Sequence, residues 1–286
     1  MIYIYMSSNN AVMKINNSKG GTSNKLFGIV LICICTLVIL YFVYSIIQGY
    51  RNYSKYSPYL IRDMIGGNTS QKIESYRVPQ PMDNQYGTEY TFSYWIFIKD
   101  TNFDTSCSDG DLGDFKHVFH KGSNDYNKNA NHLPLLQNPG VWLYPNTNKF
   151  HIRFNTYQNV TESCDVGNIP INAWTHVTIL LIGNSVDVFI NGNLKKRQKL
   201  RGVPKLNYDN LYITNYAGFD GFMCRLRYFN YAIQPFMIEY LFNEGPSKQF
   251  DSSYSTGVNS PAPELSPNYW IATCYPNTDG APAPQV

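Results

Sequence analysis

Charged side chains are scarce in this sequence. Only 15% of its 286 residues are Asp, Glu, Lys or Arg, and the formal net charge is +3. A net charge this small gives no long-range attraction to nucleic acid. The hydrophobic share of 43% is too high for a chain that is disordered throughout. The composition therefore favours a folded protein with one sizeable core and argues against a nucleic-acid partner.

Residue groupings that would mark a metalloenzyme or a hydrolase are also rare. No two cysteines stand in a C-x-x-C pair, which argues against a zinc site. The glutamates Glu89, Glu162, Glu239 and Glu244 stand alone rather than as closely spaced pairs, and residues 162–165 are predicted to form a loop. No nucleophile-elbow pattern (G-x-S-x-G) occurs. The sequence therefore predicts a protein that is not an enzyme.

Only one long hydrophobic run is present. Residues 26–47, LFGIVLICICTLVILYFVYSII, contain no charge, and about 20 apolar residues are enough to span a bilayer. No small-x-small cleavage site follows, so we interpret the run as an uncleaved transmembrane signal anchor behind a polar N-terminal tail, residues 1–25. Lys and Arg are balanced on its two sides, so the positive-inside rule does not choose an orientation.

The cysteines beyond the apolar run indicate an orientation. Their even number is typical of two disulfides in an oxidising compartment, although buried free thiols would fit the same residues. Three N-x-[ST] sequons point the same way. The cysteines are Cys107, Cys164, Cys224 and Cys274, and the sequons begin at Asn52, Asn68 and Asn159. We therefore predict a cytoplasmic or interior N-terminus, with the rest of the chain on the exoplasmic or virion-exterior side.

Alternating apolar residues predict a β-rich fold. In YTFSYWIFIKD, residues 90–100, both alternating sets are largely apolar, so this strand is expected to be covered on both faces. VDVFINGNLKKRQKL, residues 186–200, reads as two strands joined at Asn191-Gly192, because this pair tolerates the positive φ of a tight hairpin turn. Further strands are predicted in HVFHK, GVWLY, KFHIRFNTY, WTHVTILLI, LYITNY and FMCRLRYFN.

Composition divides the remaining chain into a sandwich and two flanking segments. Short strands separated by Gly, Asn and Pro predict an all-β sandwich over residues 86–247. One short helix is predicted from Pro235 to Gly245, since Pro suits the first helical turn and Gly ends a helix. Residues 48–85 are interpreted as a stalk with limited structure, and residues 248–286 as a Pro- and Ser-rich tail.

Four segments in order carry a family pattern. They are YTFSYW, VFHKG, AWTHVTILLIGNSVDVFINGNL and GFMCRLRYFNYAI. Over residues 86–247 the chain resembles the concanavalin A-like lectin and glucanase superfamily, in its laminin G-like branch. The resemblance implies a jelly-roll β-sandwich with Trp174 in the core and His176 as an outward or rim residue. An Asn- and Tyr-rich chain with an anchor before such a domain also looks like membrane proteins of large DNA viruses.

The same resemblance suggests a metal site and a disulfide pattern. Laminin G-like domains often bind calcium at a rim, and hard oxygen ligands in a Gly-containing loop suit this ion. The candidate ligands are Asp104, Asp109, Asp111 and Asp114, and a solvated loop is the alternative. The predicted pairs are Cys107 with Cys164, and Cys224 with Cys274. The second pair resembles the way laminin G modules close their C-terminal part, although four cysteines allow three pairings.

A basic run follows the predicted hairpin turn. If it is extended, Lys195, Arg197, Lys199 and Arg201 share one face at intervals of about 7 Å. Such a row can bind a sulfated or sialylated glycan or an anionic surface. Protection of an edge strand against pairing with another chain is the alternative, because Lys is common on such edges.

Together these features predict a single-pass membrane protein that displays a non-catalytic lectin-like sandwich. Its expected partner is a glycan or a glycosylated protein, and its role attachment or adhesion. Two alternatives remain: a structural envelope or virion membrane protein without a ligand, and a glycan-processing enzyme with dispersed carboxylates.

Overall fold

The computed structural model describes residues 20–84, 87–102, 115–125 and 133–251, and the chain divides into two compact units, residues 1–52 and 53–286. In the described part of the first unit, the chain is helical. This helix, α1, runs from Gly20 to Tyr56 and continues into the second unit. By length and composition it can cross a membrane from Lys25 onward, and the predicted anchor lies within it.

The described part of the second unit contains antiparallel strands followed by an α-helix. The strands are β1 Ile65–Gly66, β2 Gln71–Ile73, β3 Met82–Asn84, β4 Gly87–Ile98, β5 Lys116–Gly122, β6 Gln137–Leu143, β7 Phe150–Phe154, β8 Glu162–Val166, β9 Trp174–Ile182, β10 Ser185–Ile190, β11 Asn193–Lys199, β12 Leu211–Ile213 and β13 Gly221–Phe229. Helix α2, Pro235–Asn243, follows the last strand, as predicted.

Within the described residues, the strands form two sheets. The seven-stranded sheet has the order β1-β13-β4-β9-β10-β11, with β3 paired to β4, and the six-stranded sheet has the order β2-β12-β5-β6-β7-β8. One large apolar cluster takes residues from both sheets, including Phe92, Phe119 and Ile179. The predicted β-sandwich is therefore confirmed, with its core between the sheets.

Strand β4 is covered on both faces, as its sequence predicts. Phe92, Tyr94 and Ile96 belong to the core between the sheets. On the opposite face, the ring of Trp95 stacks on Phe242 of α2 with 5.8 Å between centroids. The seven-stranded sheet therefore has its outer face partly closed by the C-terminal helix.

The predicted hairpin between β10 and β11 is confirmed. Asn191 and Gly192 have φ angles of 49° and 78°, the left-handed conformation that a two-residue turn of this kind requires. The register shifts between Val188 and Phe189, because Val188 pairs with Lys196 and Phe189 with Leu194. This β-bulge leaves Lys195 without a cross-strand partner.

Two sequence-based assignments are wrong. Residues 57–84, predicted to belong to a stalk, contribute β1 to one sheet and β2 to the other, and Met64 and Ile65 are buried in the domain. The segment 162–165, predicted to be a loop, lies in β8. The strands in both segments are short and mix polar with apolar residues, so their alternation is too brief to identify a strand. The sandwich therefore begins before residue 86.

Candidate functional site

A cleft of about 300 Å³ opens among three loops at one end of the sandwich. The loops precede β6, follow β7 and connect β11 to β12. The lining is mixed polar and apolar, and consists of Leu136, Asn138, Asn155, Lys205, Leu206, Asn207, Tyr208 and Asp209. A cavity of this volume is at the lower limit of ordinary small-molecule sites.

Side-chain amides hold the three loops together. The amide nitrogen of Asn155 donates to the carbonyls of Leu135, at 2.9 Å, and Val160, and its oxygen accepts the backbone N–H of Gln137. The backbone N–H of Lys205 donates to the carbonyl of Asn155 at 2.8 Å. Residues far apart in the chain therefore form one rigid wall.

Lys121 supports the floor of the cleft. Its ammonium is buried and donates to the carbonyls of Asn207, at 2.7 Å, and Asp209, at 2.9 Å. Burial lowers the pKa of Lys121 to about 8, against the opposing attraction of Asp209. The amine fixes the conformation of the loop that carries most of the lining.

The rim of the cleft presents rings and charges to solvent. Tyr157 and Tyr208 are 73% and 65% exposed. The Lys205 ammonium lies 5.6 Å from the centre of the Tyr157 ring. Within the described residues, the side chains of Lys205, Tyr208 and Asp209 form no hydrogen bond or ion pair with one another or with other groups. These groups are available to a ligand.

A second polar surface covers the outer face of the six-stranded sheet. Two adjacent cross-strand rows form it. One row runs Tyr212, His120, Gly140, Arg153 and Ser163, and the next runs His117, Trp142, His151 and Asp165. We call these residues the outer six-strand face.

The paired histidines of this face are structural. Nδ1 of His120 lies 2.8 Å from Nε2 of His117, and both rings are buried beside Trp142 and Tyr216. Nε2 of His120 donates to the carbonyl of Ser123 at 3.1 Å, so Nδ1 of His120 is the acceptor in the pair. Burial lowers the pKa of His120 to about 4, and burial together with His120 lowers that of His117. Both imidazoles are uncharged at neutral pH.

His151 belongs to a partly exposed polar group on the same face. Its Nδ1 lies 2.8 Å from Oδ1 of Asp165, and the Tyr144 hydroxyl donates to Oδ2 of Asp165 at 2.7 Å. Burial opposes the charge on Asp165, but the hydrogen bonds from His151 and Tyr144 outweigh burial, so the pKa of Asp165 is lowered. The Asp165 carboxylate is therefore committed to these partners.

The predicted row of four cations is wrong in its geometry. Arg197 donates from Nε and a terminal nitrogen to both oxygens of Asp187, at 2.7 and 2.6 Å. Lys195 occupies the bulge, and Arg201 lies beyond the end of β11. Arg197 and Lys199 share a face, since both pair with residues of β10 two positions apart. A binding role for these residues stays a prediction.

His176 is buried rather than outward or at a rim, which corrects its predicted position. It is 1% exposed, and its Nε2 lies 2.8 Å from the Ser93 hydroxyl. Burial lowers its pKa to about 3. The rings of Trp95 and Phe242 pack against it, so this Ser–His pair is closed to a substrate. Trp174 is buried, as predicted.

The predicted disulfides and calcium site are only partly within the described residues. Cys164 and Cys224 are free, buried thiols, and burial raises their pKa values to about 11 and about 12. Cys164 lies in the core between the sheets and Cys224 in the apolar cluster around Trp95, which gives no support to the predicted bridges; their other members, Cys107 and Cys274, lie outside the described residues. The candidate ligands Asp104, Asp109, Asp111 and Asp114 also lie outside the described residues. Within the described residues, no group of three or more His, Cys, Asp or Glu side chains could hold a metal ion.

The predicted sequons have different surroundings. Asn52 and Asn68 are exposed, the first in α1 and the second in a turn. Asn159 is half-buried, and its Oδ1 accepts hydrogen bonds from the backbone and the hydroxyl of Thr161, at 3.0 and 3.1 Å. Glycosylation at these positions stays a prediction.

Sequence reasoning missed the cleft and most of its lining. Leu136, Asn155 and Lys205 lie in separate loops, and no local pattern joins them. The closest signal was Tyr157, the last residue of the predicted strand KFHIRFNTY, which the structure shows to be exposed.

Comparison with known proteins gives one family and several distant structures. The family model Laminin_G_3, described as the concanavalin A-like lectin/glucanases superfamily, matches residues 69–238. The Botulinum neurotoxin serotype G binding domain is 12% identical, with a TM-score of 0.43, over 63% of this chain and 46% of that one. The Botulinum neurotoxin serotype D ligand binding domain in complex with N-acetylneuraminic acid is 12% identical, with a TM-score of 0.42, over 65% of this chain and 51% of that one. The chain thus spans about half the length of these structures. No curated protein matches it.

Proposed function

This chain belongs to the concanavalin A-like lectin/glucanases superfamily, and from that premise we propose that its sandwich binds a glycan, or the glycan of a glycosylated partner, in the loop-end cleft. The observation that carries the proposal is the combination of exposed tyrosine rings with unengaged polar groups around a concave site. Tyr157 and Tyr208 supply the rings, and Lys205 and Asp209 the polar groups.

The chemistry of the rim suits a sugar. One face of a pyranose ring is apolar, and an exposed tyrosine ring can stack against it. The hydroxyl groups of the sugar need donors and acceptors at fixed positions, which Lys205, Asp209 and the Tyr208 hydroxyl supply. Because Lys121 and Asn155 hold the loops in place, little conformational entropy would be lost on binding.

We propose binding without catalysis. Glycoside hydrolysis generally needs two carboxyl groups on opposite sides of the scissile bond. Among the described residues that line the cleft, Asp209 is the one carboxylate. Glu162, the nearest glutamate to the loop after β7, accepts hydrogen bonds from the Thr156 hydroxyl and the Arg201 backbone.

Helix α1 would display this sandwich on a membrane. Its length and apolar composition fit a single span, so we propose that α1 anchors the chain. The sandwich would lie on the exoplasmic or virion-exterior side, where glycans are found. Attachment or adhesion is the role that follows.

A glycan array on the full-length chain in detergent micelles tests the proposal, with and without calcium. We expect saturable binding to a subset of glycans, and a loss of roughly fivefold in affinity for Tyr208→Ala, since stacking on an aromatic ring contributes on the order of 1 kcal/mol. Tyr240→Ala is the matched control, because Tyr240 is similarly exposed, at 61%, but lies on α2.

Two results would contradict the proposal. Silence on the array, together with stable self-association, would favour a structural envelope protein. Turnover of any glycan would favour an enzyme. Loss of binding only when calcium is removed would instead support the predicted rim site at Asp104, Asp109, Asp111 and Asp114.

A further inference from the structure

Arg153 is a buried cation without a partner. It lies on β7 in the outer six-strand face and is only 7% exposed. Its Nε atom is buried with no hydrogen-bond partner. Across the described residues, no carboxylate forms an ion pair with its guanidinium, and no acceptor bonds to it. Buried arginines are normally paired, because taking the charge out of water is costly.

The two acidic residues on the neighbouring strand β8 are committed elsewhere. Asp165 accepts from His151 and from the Tyr144 hydroxyl. Glu162 accepts from the Thr156 hydroxyl and the Arg201 backbone. Among the described residues, no carboxylate therefore pairs with this guanidinium, and its buried Nε has no partner.

One cross-strand neighbour of Arg153 adds a donor. Its partner on β6 is Gly140, which is covered by the Gln137 side chain, and its partner on β8 is Ser163. No described group bonds to the Ser163 hydroxyl. His151 stands two residues earlier on the same face, with Nδ1 engaged by Asp165. The tautomer with the proton on Nδ1 leaves Nε2 as an acceptor, so the added donor beside Arg153 is the Ser163 hydroxyl.

Arg153 is also close to the loop-end cleft. Asn155, which lines the cleft, follows two residues later, a step of about 7 Å along an extended chain. A sugar ring in the cleft and a charged substituent at Arg153 are therefore within the span of one or two monosaccharides.

We propose that Arg153, with the Ser163 hydroxyl, binds the oxyanion of an acidic glycan, either a carboxylate or a sulfate. This inference rests on the proposed glycan binding and names its ligand class. The planar guanidinium presents paired N–H donors that match the two oxygens of such a group. The guanidinium stays charged at neutral pH even though burial lowers its pKa.

Binding of matched probes to the full-length chain in detergent micelles tests the inference. The probes are oligosaccharides containing glucuronic acid or sulfated galactose, their uncharged counterparts, and inorganic sulfate alone. We expect the wild-type chain to prefer the acidic oligosaccharides, and Arg153→Met to remove that preference with a loss of roughly tenfold or more, as for a charge-assisted hydrogen bond. Sulfate alone should raise the melting temperature of the wild type but not of Arg153→Met.

The control variant and the stability of Arg153→Met make the test decisive. Lys195→Met removes an exposed cation from the bulge in β11 and should keep the acidic preference. Arg153→Met should melt at or above the wild-type temperature, because it removes an uncompensated buried charge. A strong loss of stability with an unchanged acidic preference would overturn the inference, because Arg153 would then have an internal partner.

The outcomes separate this inference from the proposed function. Equal binding of acidic and uncharged probes by the wild type would overturn the oxyanion site while leaving the cleft as a glycan site. Failure of every oligosaccharide to bind, with sulfate still stabilising the wild type alone, would overturn the cleft while retaining the anion site.

Discussion

Buried polar side chains in the sandwich are mostly satisfied in pairs. Asp187 is 5% exposed and accepts both hydrogen bonds of Arg197. Replacing Arg197 would leave that carboxylate buried without a partner, so this residue is more than an exposed surface charge. His120 and His117 bond to each other on the opposite sheet. Arg153 differs from Arg197, because its buried Nε has no partner among the described residues, and for that reason it points to a ligand.

Acid should destabilise the sandwich through its buried histidines. A histidine in the unfolded chain titrates near 6.5, whereas burial lowers the pKa of His120 to about 4. Between these values the unfolded state binds more protons than the folded state, so the free energy of unfolding falls as the pH falls. The loss for His120 should approach about 3 kcal/mol at pH 4.

Thermal melts of the full-length chain in detergent micelles at pH 7 and pH 4.5 measure this effect. His120→Gln cannot titrate and should lose less stability between the two pH values than the wild type. His151→Gln is the control, because His151 is less buried and bonds to Asp165. An equal pH dependence in the wild type and His120→Gln would contradict the prediction.

The open edges of the two sheets are joined by side chains. Strands β8 and β11 are edge strands of different sheets. The Lys196 ammonium donates to the carbonyl of Asp165 at 2.7 Å, and the Gln198 amide donates to the carbonyl of Ser163 at 2.7 Å. These contacts satisfy carbonyls of β8 that would otherwise be free to pair with another chain. The basic strand therefore contacts the edge of the other sheet through Lys196 and Gln198, two residues outside the predicted set, and edge protection stays a prediction.

Removing both donors should destabilise the domain and expose the edge. Lys196→Ala with Gln198→Ala should cost about 1 kcal/mol for each lost hydrogen bond and should promote self-association. The matched control is Lys195→Ala with Lys199→Ala, because both of these side chains are exposed. Urea denaturation and analytical ultracentrifugation measure the two effects. Monomeric behaviour and unchanged stability in the first variant would show that the contacts are dispensable.

The whole molecule combines a helix that is long and apolar enough to span a membrane with a sandwich that has its own core. Helix α1 and the β-sandwich are separate compact units over most of their length. The two described cysteines of the sandwich, Cys164 and Cys224, are free thiols, so the argument for an oxidising compartment now depends on the sequons. Topology must therefore be measured directly.

Protease added to intact cells that express the chain should remove the sandwich and leave an N-terminal tag protected. The reason is that α1 is expected to span the membrane once, with the sandwich outside. Permeabilised cells are the control, since both ends should then be digested. Protection of the sandwich in intact cells would overturn the proposed orientation. Mobility shifts after deglycosylation of Asn68→Gln and Asn159→Gln variants would show which sequon is used.

The sequence by itself determined the elements whose pattern is local. Alternation in β4 and β9, the Asn191-Gly192 turn and the Pro235 start of α2 each depend on neighbouring residues, so they were predicted from the chain alone. The order of these elements was also enough to indicate a sandwich.

Only the tertiary structure decided the candidate sites. The cleft joins Leu136, Asn155 and Lys205, which are distant in the chain and meet because Asn155 bonds to the neighbouring loops. The bulge at Lys195 also changed which cations of β11 share a face of the sheet. Side chains alternate between the two faces along a strand, and an extra residue shifts this alternation for the residues that follow it. The isolation of Arg153 likewise depends on which partners the nearby carboxylates have taken, and that is a property of the packed sheet rather than of any segment.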